Sequence, residues 1–296
     1  MLKVLLFALM SVLFTFQSST TKLYTQSYAG PSKGDASVTY SMFYGAVTAL
    51  MTFFVNGFAF SPCLATVLLG LLNAFMLILY TTSLVNASAQ GPYTFLMMCA
   101  LTGSILIPLG YNLLFMGERL TVLQLGGIAL LLVSFALMNL RGMPFAGAKP
   151  PRSYFFWCAA LFVANGAYGQ IMNIQQSLTG GAERSEMIIC TYFLMALFVL
   201  IWRLIRAPQA VLPGFRMGRK AFVYALLCCA ICTAATNLLV YLLTVLESAT
   251  VLFALNNGAV LLLSGLLAIF LFHEKADKYQ TAGLVFACAG IVVLSI

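Results

Sequence analysis

The residues with capacity for chemistry are mostly amides and hydroxyls set in apolar surroundings, with one amine among them. Lys22 follows Gln17, Ser18, Ser19, Thr20 and Thr21 and precedes Tyr24 and Gln26. A lysine facing a cavity inside a membrane would bind a carboxylate or phosphate. The plain alternative is snorkelling, because residue 22 lies about 29 Å along a helix that starts near Lys3, within reach of an interface. A second polar run holds Asn165, Tyr168, Gln170, Asn173 and Gln175. Asn165, Tyr168 and Met172 share one helical face, and Gln170 and Asn173 share another. Polar groups in hydrocarbon are costly unless they line a cavity or pair between helices. One of these faces is therefore expected to line a cavity, with interhelical bonding as the alternative. Tyr40 and Tyr44 share a face as i and i+4, and Asn73, Tyr80, Tyr111, Asn112, Asn237 and Tyr241 are further cavity candidates. Asn256–Asn257–Gly258 interrupts an apolar run at mid-span, where two adjacent amides need partners or a ligand.

Acids are few, and their places are informative. Glu118 and Glu274 each sit just before a final helix. A carboxylate there meets the positive end of the helix dipole and can accept orphan backbone N–H bonds. Both are expected to fix a loop and helix start and not to touch substrate. Glu247 ends an apolar run near an interface, so nothing supports proton coupling. The one histidine, His273, lies beside Glu274, and there is no H-E-x-x-H or paired-acid spacing. An intramembrane enzyme needs such clusters. No catalytic residue, metal or cofactor is therefore expected. The eight cysteines lie in or at the edges of apolar runs and read as small packing residues, including the mid-helix C-x-x-C pair Cys229 and Cys232.

The elements that must position these residues follow from the distances between charges. The chain is 62% hydrophobic and 7% charged, against about 25% charged in a soluble domain, so the bilayer is its expected solvent. The net charge of +8 comes from short clusters between apolar runs, with no basic, aromatic-interleaved stripe for nucleic acid. From Ala36 to Gly117 no residue is charged, which is room for three spans of about 20 residues, jointed at Ser61–Pro62 and Asn86–Pro92. Seven other uncharged stretches fit one span each, giving an all-α integral membrane protein of ten transmembrane helices. The first of them is Val4–Thr21. The N-terminal run Met1–Phe16, with one Lys and then a short apolar stretch, could imitate a signal peptide but shows no small-x-small cleavage site after it, and is read as part of a first membrane helix.

An internal repeat is visible. A shift of 156 residues lays Glu118 on Glu274, Gln124 on Gln280, Gly127 on Gly283, Thr94 on Thr250 and Leu96 on Leu252. A shift of 150 lays Gln26 on Gln176 and Ser27 on Ser177. Five spans then fall in residues 1–140, a connecting loop in 141–152 and five spans in 153–296. An odd number of spans per half gives the halves opposite orientation, the inverted repeat of alternating-access carriers.

The ends of the two halves, Phe115-Met-Gly-Glu-Arg-Leu-Thr121 with Leu125-Gly-Gly127, and Phe272-His-Glu-Lys275 with Gln280-Thr-Ala-Gly283 and Gly290, resemble the drug/metabolite transporter superfamily, EamA-like branch. The resemblance covers both halves. It departs in the fourth span of each, where many members carry an early Pro. Here Pro108 sits later, and the second half has Asn256–Asn257–Gly258 instead. The resemblance implies ten helices around a central cavity and transport of small organic solutes such as amino acids or sugars. The expected partners are therefore a small-molecule substrate and the lipid bilayer, with the chain a monomer or homodimer. The expected location is the plasma (inner) membrane. A receptor or scaffold is the other reading, but it has no need of inverted halves. Positive residues favour the odd-numbered connections, which places both termini outside the cytoplasm, whereas the resemblance implies both inside.

Overall fold

The structure, a computed structural model, describes residues 2–30, 33–88, 90–91, 93–139, 150–210, 217–246, 248–270 and 278–294. It is 88% helix, with no strand among the described residues. The helices are α1 (Leu2–Ser27), α2 (Lys33–Val55), α3 (Leu64–Ser88), α4 (Tyr93–Phe115), α5 (Val122–Asn139), α6 (Arg152–Thr179), α7 (Arg184–Arg206), α8 (Arg219–Val245), α9 (Ala249–Phe270) and α10 (Lys278–Leu294). Eight of them are long and apolar enough to cross a membrane, as in a multi-pass membrane protein. The other two, α5 and α10, are shorter apolar helices. Helix is the form such residues must take, since hydrocarbon offers no partner for an open N–H or C=O.

Helix lengths repeat along the chain. The first five are 26, 23, 25, 23 and 18 residues long. The second five are 28, 23, 27, 22 and 17. The helices pack as two compact units, and each unit draws on both halves of the sequence. Unit one is Met1–Thr81 with Ile171–Thr244, and unit two is Thr82–Gln170 with Val245–Ile296.

In unit one, α2 lies closely against α7. A Cβ on Gly45 would stand 2.7 Å from the Tyr192 carbonyl oxygen, so only glycine permits this approach. Asp35 in the first turn of α2 pairs with Arg203 in the last turn of α7, at 2.5 Å. Asn56, just past the end of α2, donates to Glu186 in the first turn of α7. The two helices therefore run antiparallel. A smaller core of Tyr24, Met217, Ala221 and Ala225 ties α1 to the start of α8.

In unit two the closest pair is α5 with α10. A Cβ on Gly127 would lie 3.1 Å from the Gly290 carbonyl oxygen and 2.6 Å from Leu294, and one on Gly283 would meet Ser134 and Met138. The Ser134 hydroxyl donates to the Gly283 carbonyl at 2.7 Å. As one chain advances the other retreats, so this pair is also antiparallel. In contrast, α4 and α6 run parallel: Gly103 meets Phe162, Ile107 meets Gly166, and Asn112 meets Gln170. Ile105, Ile128, Leu131, Phe135, Ala254, Ala287 and Leu294 form the core of this unit.

Candidate functional site

The sequence-derived candidates fall into both units, and two groups of them are brought together. In unit one, α1, α2 and α8 assemble a cluster around Thr21, Tyr40 and Tyr44. Thr21 Oγ1 and Tyr40 Oη lie 3.1 Å apart. Gln17 Nε2 donates to Tyr44 Oη at 2.7 Å. The Tyr44 hydroxyl in turn donates to Cys232 Sγ at 2.6 Å, and Tyr40 Oη lies 3.0 Å from Cys228 Sγ. Tyr40 and Tyr44 stack with centroids 5.1 Å apart, the Tyr24 ring is tilted against Tyr40 at 4.9 Å, and the Tyr192 ring meets Tyr44 edge-on. Each hydroxyl thus has a partner inside the apolar span, which burial requires.

Lys22 belongs to α1, but its side chain lies outside the described residues, as do Glu274, Glu247, His273 and most of the 141–152 connection. Asn73 is fully buried and donates to Thr191 at 3.5 Å, while its Oδ1 has no hydrogen-bond partner. Tyr80 and Asn173 are engaged in contacts within the protein, the former half-buried and the latter buried. Asn237 donates to its own helix at Thr233 O. Tyr241 is exposed under the Arg184 guanidinium.

In unit two a polar chain runs through five residues. Glu118 accepts from Ser248 and, at 2.7 Å, from Thr250. Asn112 donates to Thr250 at 3.1 Å, and Gln170 donates to Asn112 Oδ1 at 2.7 Å. Gln170 Oε1, at the inner end, is buried without a hydrogen-bond partner. Glu118 therefore sits at the start of α9, where Ser248 also caps Val251 N–H. The helix that follows Glu118 in sequence, α5, is capped by its own Thr121–Gln124 pair, a reciprocal capping box. Asn257 and Asn165 converge on one turn of α4: Asn257 donates to Ser104 Oγ and Asn165 to the Ala100 carbonyl, both at 2.8 Å. Pro108, one turn further on, has no N–H to offer the Ser104 carbonyl. Asn256 and Tyr168 are half-buried and engaged.

Cys228, Cys232, Tyr192 and Gln17 were missed as site residues by reading the sequence. The cysteines look like apolar filler until a tyrosine hydroxyl is set against each. The signal available was the i, i+4 spacing of Cys228 and Cys232, which matches that of Tyr40 and Tyr44. Among the described residues no three His, Cys, Asp or Glu side chains are grouped to hold a metal.

No protein-family model and no curated protein matches the chain. Solved structures do: 28 chains match. One, described only as the crystal structure of a protein, covers 99% of this chain and 96% of its own with a TM-score of 0.71. It is 14% identical in sequence, so the likeness shows the fold alone.

Proposed function

We propose that the chain is a secondary transporter of a small organic metabolite, such as an amino acid or sugar, built from ten spans in two inverted halves like the EamA-like drug/metabolite transporters. The observation that carries this reading is the pairing of helices. The closest pairs, α2 with α7 and α5 with α10, each join a helix to its counterpart in the other half and run antiparallel. Contacts within α5–α10 are reciprocal under the 156-residue shift. Gly127 meeting Gly290 and Leu294 has its image in Gly283 meeting Ser134 and Met138. Reciprocal contacts are what a two-fold relation produces, and an in-plane two-fold is the signature of alternating-access carriers.

Chain direction supports ten spans. In a bilayer, successive spans reverse direction. Parallel α4 and α6 imply that α5 crosses once between them, and antiparallel α2 and α7 imply the same. At about 1.5 Å per residue, the 17 residues of α10 reach the lower limit for a span, and α10 lies along α5. The polar groups held within such spans are the substrate-facing candidates: Thr21, Tyr40 and Tyr44 in one unit and Gln170 in the other. An orphaned amide oxygen such as Gln170 Oε1 suits a substrate N–H or O–H donor.

The test is counterflow. Purified protein in proteoliposomes is loaded with metabolites found to differ between overexpressing and deleted cells, and exchange of labelled solute is followed. We expect saturable exchange, slowed about tenfold or more by Tyr44→Phe, which removes one hydroxyl from the α1–α2–α8 cluster. Absence of exchange for every such solute, from folded protein, would refute the carrier reading.

A further inference from the structure

We infer that unit one carries a binding site for one anionic phospholipid, with an acyl chain between α2 and α8 and the headgroup at Arg184 and Tyr241. A cleft of about 520 Å³ opens between these helices, lined by Met51, Phe54 and Val55 on α2 and by Ala230, Thr233, Ala234 and Asn237 on α8. That volume is within the ordinary range for ligand pockets, about 300–1,000 Å³. Its wall is mostly apolar. Its two polar side chains each bond their own helix: Thr233 Oγ1 donates to the Cys229 carbonyl at 2.9 Å, and one N–H of Asn237 Nδ2 to the Thr233 carbonyl at 2.8 Å. Most of the wall is hydrocarbon, notched by Ala230 and Ala234 and bounded by the exposed Phe54 and Val55. Both helices are membrane-length and apolar, so a hydrocarbon chain is the guest at hand.

The headgroup argument is independent of the cleft. Tyr241 lies one turn beyond Asn237 on the same face of α8, near the helix end. The Arg184 guanidinium stands over its ring, 5.4 Å from the centroid. Among the described residues Arg184 has no carboxylate partner. The neighbouring acids are engaged elsewhere, Glu183 with the Cys63 N–H at 3.0 Å and Glu186 with Asn56 at 3.3 Å. Arginine and tyrosine at a span end are the side chains that meet lipid headgroups. An arginine steered by a ring presents its N–H fork to phosphate. The cleft therefore leads, by way of Asn237 and Tyr241, to a cation suited to a phosphodiester.

The test is native mass spectrometry of the full chain in detergent, titrated separately with phosphatidylglycerol, phosphatidylcholine of equal chain length, glycerophosphate and inorganic phosphate. We expect one saturable phosphatidylglycerol adduct, weaker phosphatidylcholine binding and none with the two chain-free phosphates. Arg184→Gln should weaken phosphatidylglycerol about fivefold, the worth of one cation at a membrane surface, and leave phosphatidylcholine unchanged. Ala234→Leu, which fills the cleft from α8, should weaken both lipids. Met51→Trp fills it from α2 and serves if the first variant does not elute as folded protein. Equal affinity for both lipids in the native chain and in Arg184→Gln would overturn the headgroup assignment. Undiminished adducts in both cleft-filling variants would overturn the site. A dimer lost on filling the cleft would do so too, by showing a second copy there.

Discussion

The Asp35–Arg203 pair offers the sharpest test of how unit one is held. The arginine is 7% exposed and the aspartate 19%, with 2.5 Å between them. Replacing Arg203 by Ala leaves a largely buried carboxylate facing an emptied site. Removing one partner of a fully buried pair costs about 3–5 kcal/mol. The residual exposure of Asp35 lets water recover part of that, so about 2–3 kcal/mol is expected for Arg203→Ala, including lost packing of the arginine stem. Asp35→Asn should cost less, because the amide still accepts from the guanidinium. In Asp35→Ala/Arg203→Ala neither charge is stranded, so the double variant should be more stable than the sum of singles implies, with a coupling of about 2 kcal/mol. The assay is reversible unfolding in mixed micelles of increasing SDS fraction, followed by helix content. Salt up to about 1 M should leave the coupling nearly intact, since the pair is shielded. Additive single variants, with a coupling under about 0.5 kcal/mol, would show that the pair behaves as a surface contact and refute the reasoning.

Three further outcomes are expected. Gly103→Ala puts a methyl 2.1 Å from the Phe162 carbonyl oxygen, a backbone atom that cannot swing aside, whereas Gly110→Ala meets nothing within 4 Å. The first should lose monodisperse elution in size-exclusion chromatography and the second keep it, and equal behaviour would contradict the α4–α6 approach. Thr250→Val cuts the link between Glu118 and Asn112 and should cost about 1–3 kcal/mol by stranding buried partners. It should be non-additive with Asn112→Leu in thermal melts, while simple additivity would mean the chain is not one network. Glu183, outside the spans, has its carboxyl held below the ordinary glutamate range by the Thr66 side chain and the Cys63 N–H. A depressed folded pKa gives stability that is full above the ordinary value, about 4.3, and lost as pH falls through the lower folded one. Glu183→Gln should flatten that acid limb, and an unchanged limb would remove Glu183 from it.

The architecture was legible in the sequence because charge is scarce: runs without Asp, Glu, Lys or Arg mark helices directly, and the structure has a helix at each. Partners across helices were less legible. Glu118 was read against the helix that follows it, yet it serves the start of α9, 130 residues on, because Thr121 and Gln124 already cap α5. Cys228 and Cys232 carry no polarity signal of their own and became polar only through tyrosines 188 residues away. The Asn256–Asn257 pair shows the opposite case. Two amides at mid-span demanded partners, and Asn257 finds one in the Ser104 hydroxyl on α4.

Symmetry of packing and asymmetry of chemistry divide the two halves in an instructive way. At the α5–α10 pair, contacts repeat in both directions because close backbone approach tolerates little but Gly, Ser and slender side chains. The tyrosine cluster does not repeat. With the 150-residue shift, Gln17, Thr21, Tyr40 and Tyr44 fall on Ala167, Ile171, Cys190 and Leu194. Polar groups buried among apolar helices are costly unless they pair or serve a ligand, so under the proposed two-fold scaffold a cluster present in one half alone is the first place to look for chemistry. Gln170, which falls opposite Thr20 under the same shift, likewise keeps a buried amide oxygen with no hydrogen-bond partner. On the carrier reading proposed above, a bound solute would meet unlike surfaces from the two halves, and the polar contacts that select it would come from residues the repeat does not share.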